Sequence, residues 1–270
     1  MGTLYIVPTP IGHLQDITLR ALTVLRSVSL IAAEDTRRAS ILLAHFDLHT
    51  PVTSYFEHSQ LSKLDRILSA LDRGDVALIS DAGTPGLSDP GYELICAAIE
   101  RGHPIVPLPG PTAAITALVA SGLPTATFTF LGFLPRKTGD RQRALIGVRD
   151  EPRTLICYEA PHRLIDTLTD LRAILGDRLI CVARELTKRH EELWRGSISG
   201  ALDHFSGEAL GEIVLVVAGA PDAARWDETR VRAALHAELE SGASALTAAK
   251  TIAALAGWNK RDVYALLHNS

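Results

Sequence analysis

The sequence predicts an α/β fold of two α/β domains followed by a small helical appendage, and three observations carry that expectation. Short apolar runs alternate with helical patterns through the first half, as in a parallel sheet covered by helices. A glycine and proline break, Ser121-Gly122-Leu123-Pro124-Thr125, precedes a second set of strand patterns. Beyond a further break at Gly219-Ala220-Pro221, only helical patterns remain. The expected units are residues 1–121, 126–220 and 227–270, and a chain of 270 residues, 47% of them hydrophobic, can support more than one core.

In the first unit strands are expected at 4–7, 30–33, 76–80 and 105–106, with helices at 19–25, 62–71 and 92–101. In the second, strands are expected at 128–131, 154–158, 179–183 and 213–217, with helices around 141–148 and over 161–175. Pro161 suits a first helical turn, where its missing N–H would have no partner anyway. In the last unit, 245–256, Gly257-Trp258-Asn259 and 260–267 read as a helix-turn-helix, with Asn259 capping its second helix. Cys96, Cys157 and Cys181 form an odd set without CxxC spacing and read as buried small hydrophobes.

A net charge of −4 gives no global attraction to polyanions, so any RNA contact must rest on local basic patches. No apolar run is long enough to cross a bilayer, and no charged and apolar leader precedes the first strand pattern. A cytoplasmic location is therefore expected.

Three loops rich in glycine and proline follow expected parallel strands: PTPIG (8–12), SDAGTPGLSDPG (80–91) and PLPGPTA (107–113). Ligands of open α/β sheets sit beyond the carboxyl ends of strands, so three rigid, small-residue loops there imply one pocket. None has the GxGxxG or GxxxxGK[ST] form, which argues against a ligand held by its phosphates.

The runs LYIVPTPIGHLQDITLRAL, IAAEDTR, SDAGTPGLSDPG, PLPGPTA, GFLPRK, YEAPHR and ARELTKRHEELWRG, in this order, resemble the rRNA-modifying branch of the tetrapyrrole methylase superfamily. The resemblance implies S-adenosylmethionine as methyl donor, bound in the cleft between two α/β domains. It also implies methylation of a cytidine ribose 2′-hydroxyl in the decoding region of small-subunit (16S) rRNA, by a homodimer. By the same match Pro10, Asp81, Gly83, Thr84, Ser88, Pro111, Thr112, Ala113 and Tyr158 fall on the donor-binding loops. Tetrapyrrole-acting members carry GxGPG and GGDP where this chain has PTPIG and SDAGTP. A tetrapyrrole acceptor and a non-catalytic ribosome assembly factor are the competing readings.

Methyl transfer from a sulfonium is an in-line displacement that needs no metal, and no metal-ligand spacing is present; positioning supplies much of the rate. A ribose hydroxyl also benefits from a base. Glu34, Asp35, Glu57, His58, Glu159, His162 and Glu185 with Lys188 are candidates, each equally readable as a cap or ion pair. Glu34 and Asp35 with Arg37 are favoured, because consecutive acids at a strand end beside an arginine can orient a hydroxyl and meet a phosphate. The basic patches are Arg37-Arg38; Arg136, Lys137, Arg141 and Arg143; Arg184, Lys188, Arg189 and Arg195; and Lys260-Arg261. Among cations, Arg136, Lys137, Arg163, Arg184 and Lys188 are the candidate RNA contacts. The terminal helices, whose cations include Arg225, are nearly charge-balanced and read as auxiliary.

Overall fold

The computed structural model describes residues 1–55, 61–207, 210–221 and 226–267; the candidates Glu57, His58 and Arg225 lie outside them. The first sheet is fully parallel, in the order β3-β2-β4-β1-β5: β1 (Leu4–Ile6), β2 (Leu30–Ala33), β3 (Val52–Ser54), β4 (Val76–Ile79) and β5 (Ile105–Pro107). The two-residue period of its strands sorts side chains between two cores. Ile31, Ala33, Ala77 and Ile79 meet α1 (Leu19–Ser27) and α2 (Thr36–His45). Ala32, Val76, Leu78 and Leu4 meet α3 (Leu61–Leu71) and α4 (Tyr92–Glu100) on the other face. β4 is buried throughout, which explains its unbroken apolar run.

The order of this sheet places the site. From β1 the chain moves to β2 on one side, whereas from β4 it moves to β5 on the other, and β1 and β4 are hydrogen-bonded neighbours. Adjacent strands whose connections diverge leave a crevice at their carboxyl ends. The loops 7–12 and 80–91 open into it.

Residues 122–127 lead into a mixed sheet, β6-β7-β10-β8-β9. It comprises β6 (Phe128–Phe133), β7 (Thr154–Glu159), β8 (Leu179–Arg184), β9 (Glu192–Ser197) and β10 (Ile213–Val217). Only β6 and β7 pair in parallel. One face packs on α6 (Thr138–Gly147), α7 (Leu164–Leu175) and α8 (Ile198–His204). The other receives α5 (Ala113–Ser121), whose Ala114, Ala117 and Leu118 lie against Ile156, Cys181, Ala183 and Val214. So α5, which leaves the third loop of the first sheet, is packed on the second and ties the two together.

The C-terminal helices α9 (Glu228–Glu240), α10 (Ala245–Ala256) and α11 (Lys260–Ala265) share a core around Val231, Ile252 and Val263. Gly257 closes α10 in the left-handed conformation and the Asn259 side chain caps α11, as the sequence predicts. Cys157 and Cys181 are buried, and burial pushes the Cys157 thiol up to about 12; Cys96, on α4, is half-buried and departs from the expectation. No helix among the described residues is long and apolar enough to cross a membrane.

Candidate functional site

The first and second loops are stitched together. Thr9 and Gly83 exchange two backbone hydrogen bonds, of 2.9 and 3.0 Å, and Thr9 Oγ1 donates to the Ser80 carbonyl at 3.1 Å. Thr84 Oγ1 donates to the Pro111 carbonyl at 3.1 Å, joining the third loop. Gly83 and Gly86 take positive φ of 77° and 79°, the region where glycine carries no Cβ penalty. Ser88 adopts φ 63° without that freedom, a strained conformation at the cavity edge.

These loops line a cavity of about 290 Å3 between the two sheets. Gly83, Thr84 and Ser88 form one side, and Thr112, Ala113 and Tyr158 the other. Ala183 and Val214 of the second sheet close an apolar end. Thr112 Oγ1 is buried without a well-formed hydrogen bond, with the Tyr158 hydroxyl beside it, so a polar atom is left for a ligand. Pro111 contributes its carbonyl to Thr84 rather than a wall. Pro10 and Asp81 face a second cavity of about 270 Å3 on the far side of Ala82.

Two acids that sequence reasoning did not single out stand here. Asp89 lines the first cavity, and Glu212, at the foot of β10, lines both. Burial pushes the Asp89 carboxyl up to about 7, and the Glu34, Asp81 and Glu212 carboxylates add to the rise. The native chain thus holds this proton up to about pH 7, whereas an unfolded aspartate releases it near pH ~4. Unfolding releases the proton between those values, so this group's contribution to stability falls as pH rises through that window. Melting curves of the ligand-free chain and of Asp89→Asn from pH 4 to 8 are expected to diverge, the wild type losing ground to the variant as pH rises. Parallel curves would contradict the assignment.

The favoured catalytic trio is only partly brought to the cavities. Asp35 caps α2 by accepting the Arg37 N–H at 2.8 Å, and takes the Arg37 guanidinium at 2.6 and 3.0 Å. That arginine pulls its carboxyl down to about 2. The Arg37 side chain is 88% exposed and folds onto Asp35, away from both cavities. Glu34 sits behind the second loop, its Oε2 accepting the Asp81 N–H at 3.3 Å; burial raises its carboxyl. Arg38, the next residue on α2, reaches Asp81 at 3.4 Å instead.

The basic candidates divide likewise. Arg136 and Lys137 are exposed, with no ion pair among the described residues. Arg163 is 13% exposed, 3.3 Å from Glu159, and donates to the Leu134 and Pro135 carbonyls at 2.9 and 3.0 Å; it holds the turn after β6. Arg184 grips Glu192 at 3.0 and 2.9 Å. Lys188 is held by Glu185 at 2.8 Å and Glu212 at 3.1 Å, at the edge of the second cavity. Arg141 is buried at 3% exposure on Asp170 and so does not belong to an open phosphate patch, whereas Arg143 is exposed and pairs with Asp140 at the surface. Glu159 is buried among Thr167, Ala160 and Arg163, a structural knot rather than a free base. No cluster able to hold a metal occurs among the described residues.

A family model for tetrapyrrole (corrin/porphyrin) methylases matches residues 3–201. Proteins named ribosomal RNA small subunit methyltransferase I are 45% identical in Halalkalibacterium halodurans, over 99% of this chain and 95% of that protein. The Synechocystis protein of that name is 46% identical over 98% and 97%, and that of Escherichia coli O157:H7 46% over 92% and 90%. Among solved structures, the Thermus thermophilus uroporphyrin-III C-methyltransferase complexed with S-adenosylhomocysteine superposes with a TM-score of 0.56. That match is 18% identical and covers 80% of this chain and 97% of that one. The methyltransferase CobJ gives a TM-score of 0.61 at 19% identity, covering 82% and 95%. With two α/β layers, a crevice at a strand-order switch and near full-length relatives, the chain belongs to the tetrapyrrole methylase family, within its ribosomal RNA small subunit methyltransferase I group.

Proposed function

We propose that this enzyme transfers a methyl group from S-adenosylmethionine to a cytidine 2′-hydroxyl in small-subunit rRNA. The observation that carries the reading is a cavity built from all three loops at the switch point, in a chain about 45% identical to enzymes named for that RNA. The donor suits the first cavity on three counts. Its sulfonium is cationic, and the Glu34, Asp81 and Glu212 carboxylates around Asp89 make the surroundings acidic. Its adenine is flat and largely apolar, matching the end formed by Ala113, Tyr158, Ala183 and Val214. Its polar groups can meet Thr112 Oγ1, which the chain leaves unsatisfied.

When bound, the donor supplies an activated methyl group. The chain's part is to hold it beside the acceptor and exclude water: His13 N–H donates to Thr187 Oγ1 at 3.0 Å, fastening the loop after β8 over the first loop. Exposed Arg136 and Lys137 offer phosphate contacts. The same reading has the enzyme acting in the cytoplasm as a homodimer, and light scattering at twice 29.1 kDa checks the latter.

Incubation with methyl-labelled S-adenosylmethionine and unmethylated small subunits is expected to place label in the RNA fraction. Label confined to protein, or none with tight subunit binding, would overturn the reading in favour of a different acceptor or an assembly factor.

A further inference from the structure

The second cavity lies beside the one assigned above to the donor. It shares a wall with the first at Ile11, Ala82 and Glu212, and lies at the carboxyl ends of β2 and β4 against the first turns of α2. Its volume, about 270 Å3, is close to that of the first cavity and gives room for one small ligand group. Its lining is divided. Leu14, Ile41 and Leu42 offer apolar surface, Arg38 and Lys188 bring positive charge, and Asp35, Asp81 and Glu212 present carboxylates. An apolar slot whose polar side carries carboxylates and two cations matches a nucleoside: base on the apolar wall, ribose at a carboxylate, flanking phosphates at the cations.

Resting on the functional reading above, we propose that this cavity receives the acceptor nucleoside extruded from the RNA and that Asp81 binds its ribose hydroxyl and accepts the hydroxyl proton. Among the acids of its wall, Asp81 is the one held for that task. Its N–H donates to Glu34 Oε2 at 3.3 Å, its Oδ1 accepts the Asp35 N–H at 3.1 Å, and Arg38 stands 3.4 Å from Oδ2. Asp35 is spent on Arg37 at 2.6 Å and on the start of α2, and Glu212 is engaged by Lys188 at 3.1 Å, both closer than the 3.4 Å contact of Asp81 with Arg38. Ala82, the next residue, belongs to the wall shared with the donor side. In the step, the acceptor oxygen forms its bond to the methyl carbon as the carbon–sulfur bond breaks, and sulfur keeps that electron pair. Asp81 takes the proton, leaving a neutral thioether and a methylated ribose.

Two variants of the full chain test this with small subunits as substrate and S-adenosylhomocysteine as donor-site probe. Ile41 is 70% exposed on α2, so Ile41→Trp obstructs the mouth without entering a core. It is expected to raise KM for subunits about tenfold, with S-adenosylhomocysteine affinity within about twofold of wild type. Asp81→Asn keeps an oxygen for the Asp35 N–H and is expected to lower kcat about 10²–10⁴-fold, with KM and donor-site affinity little changed. Loss of S-adenosylhomocysteine binding in both variants would overturn the proposal by making the cavity part of the donor site. Undiminished turnover in both would overturn it too. A wild type that methylates no RNA would instead sink the functional reading on which the proposal rests.

Discussion

Replacing Gly83 by valine is expected to weaken S-adenosylmethionine binding about 100-fold or more while the chain stays folded. The residue sits at φ 77° with both backbone groups paired to Thr9, so the loop cannot rotate it into an easier conformation without breaking the bridge between the first two loops. A left-handed conformation costs an L-residue roughly 1–2 kcal/mol, and more for a β-branched one. A Cβ there would stand 3.5 Å from Ile11 Cγ2 and 3.8 Å from the Pro111 carbonyl, so valine's methyls crowd the cavity wall. A hundredfold corresponds to about 2.7 kcal/mol, the size expected when the free loop relieves that strain by giving up the Thr9 bridge and must be forced back, against lost volume, to bind. Calorimetry with S-adenosylhomocysteine reads it directly, and affinity within threefold of wild type would contradict the cavity assignment.

Arg141→Ala is expected to act on stability instead of RNA affinity. Its guanidinium meets Asp170 Oδ2 at 2.7 and 2.6 Å, while Gln142 satisfies Oδ1 at 2.8 Å, all between α6 and α7. Removing the arginine strands a buried carboxylate, a loss of about 3–5 kcal/mol, or roughly 6–20 °C in Tm. The double variant Arg136→Ala and Lys137→Ala should do the reverse, leaving Tm unchanged while subunit affinity falls and its salt dependence flattens by about one to two phosphate contacts. Equal melting temperatures for Arg141→Ala and wild type would contradict the structural role given to this buried pair.

Grouping 136–143 as one basic patch shows where sequence reading reaches its limit. Charge is visible in a sequence, but the partner that neutralises it lies far along the chain: Asp170 is 29 residues from Arg141, and the carbonyls held by Arg163 are 28 and 29 residues away. Asp35 illustrates the same point locally, since an acid before a helix is as readily a cap as a base. The sheet was legible because β2 and β4 are apolar throughout and the loops after β1 and β4 are rich in glycine and proline. By contrast α5 shows no amphipathic period, its Ala-rich surface being apolar nearly all round, and β9 is an edge strand of mixed polarity. β3 is only three residues long. The donor-side loops were readable from their spelling, yet Asp89 lay inside the quoted loop unnoticed. Only folding buries it and sets it among Glu34, Asp81 and Glu212, and burial first, then those neighbouring charges, give it its proton affinity.

The chemical identity of the product decides the function. Small subunits from cells lacking this enzyme, treated with the purified chain and S-adenosylmethionine, can be digested to nucleosides and measured by mass spectrometry. 2′-O-methylcytidine is expected to appear only when the enzyme is added; methyl groups gained only on bases, or no new methylated nucleoside, would overturn the proposed reaction.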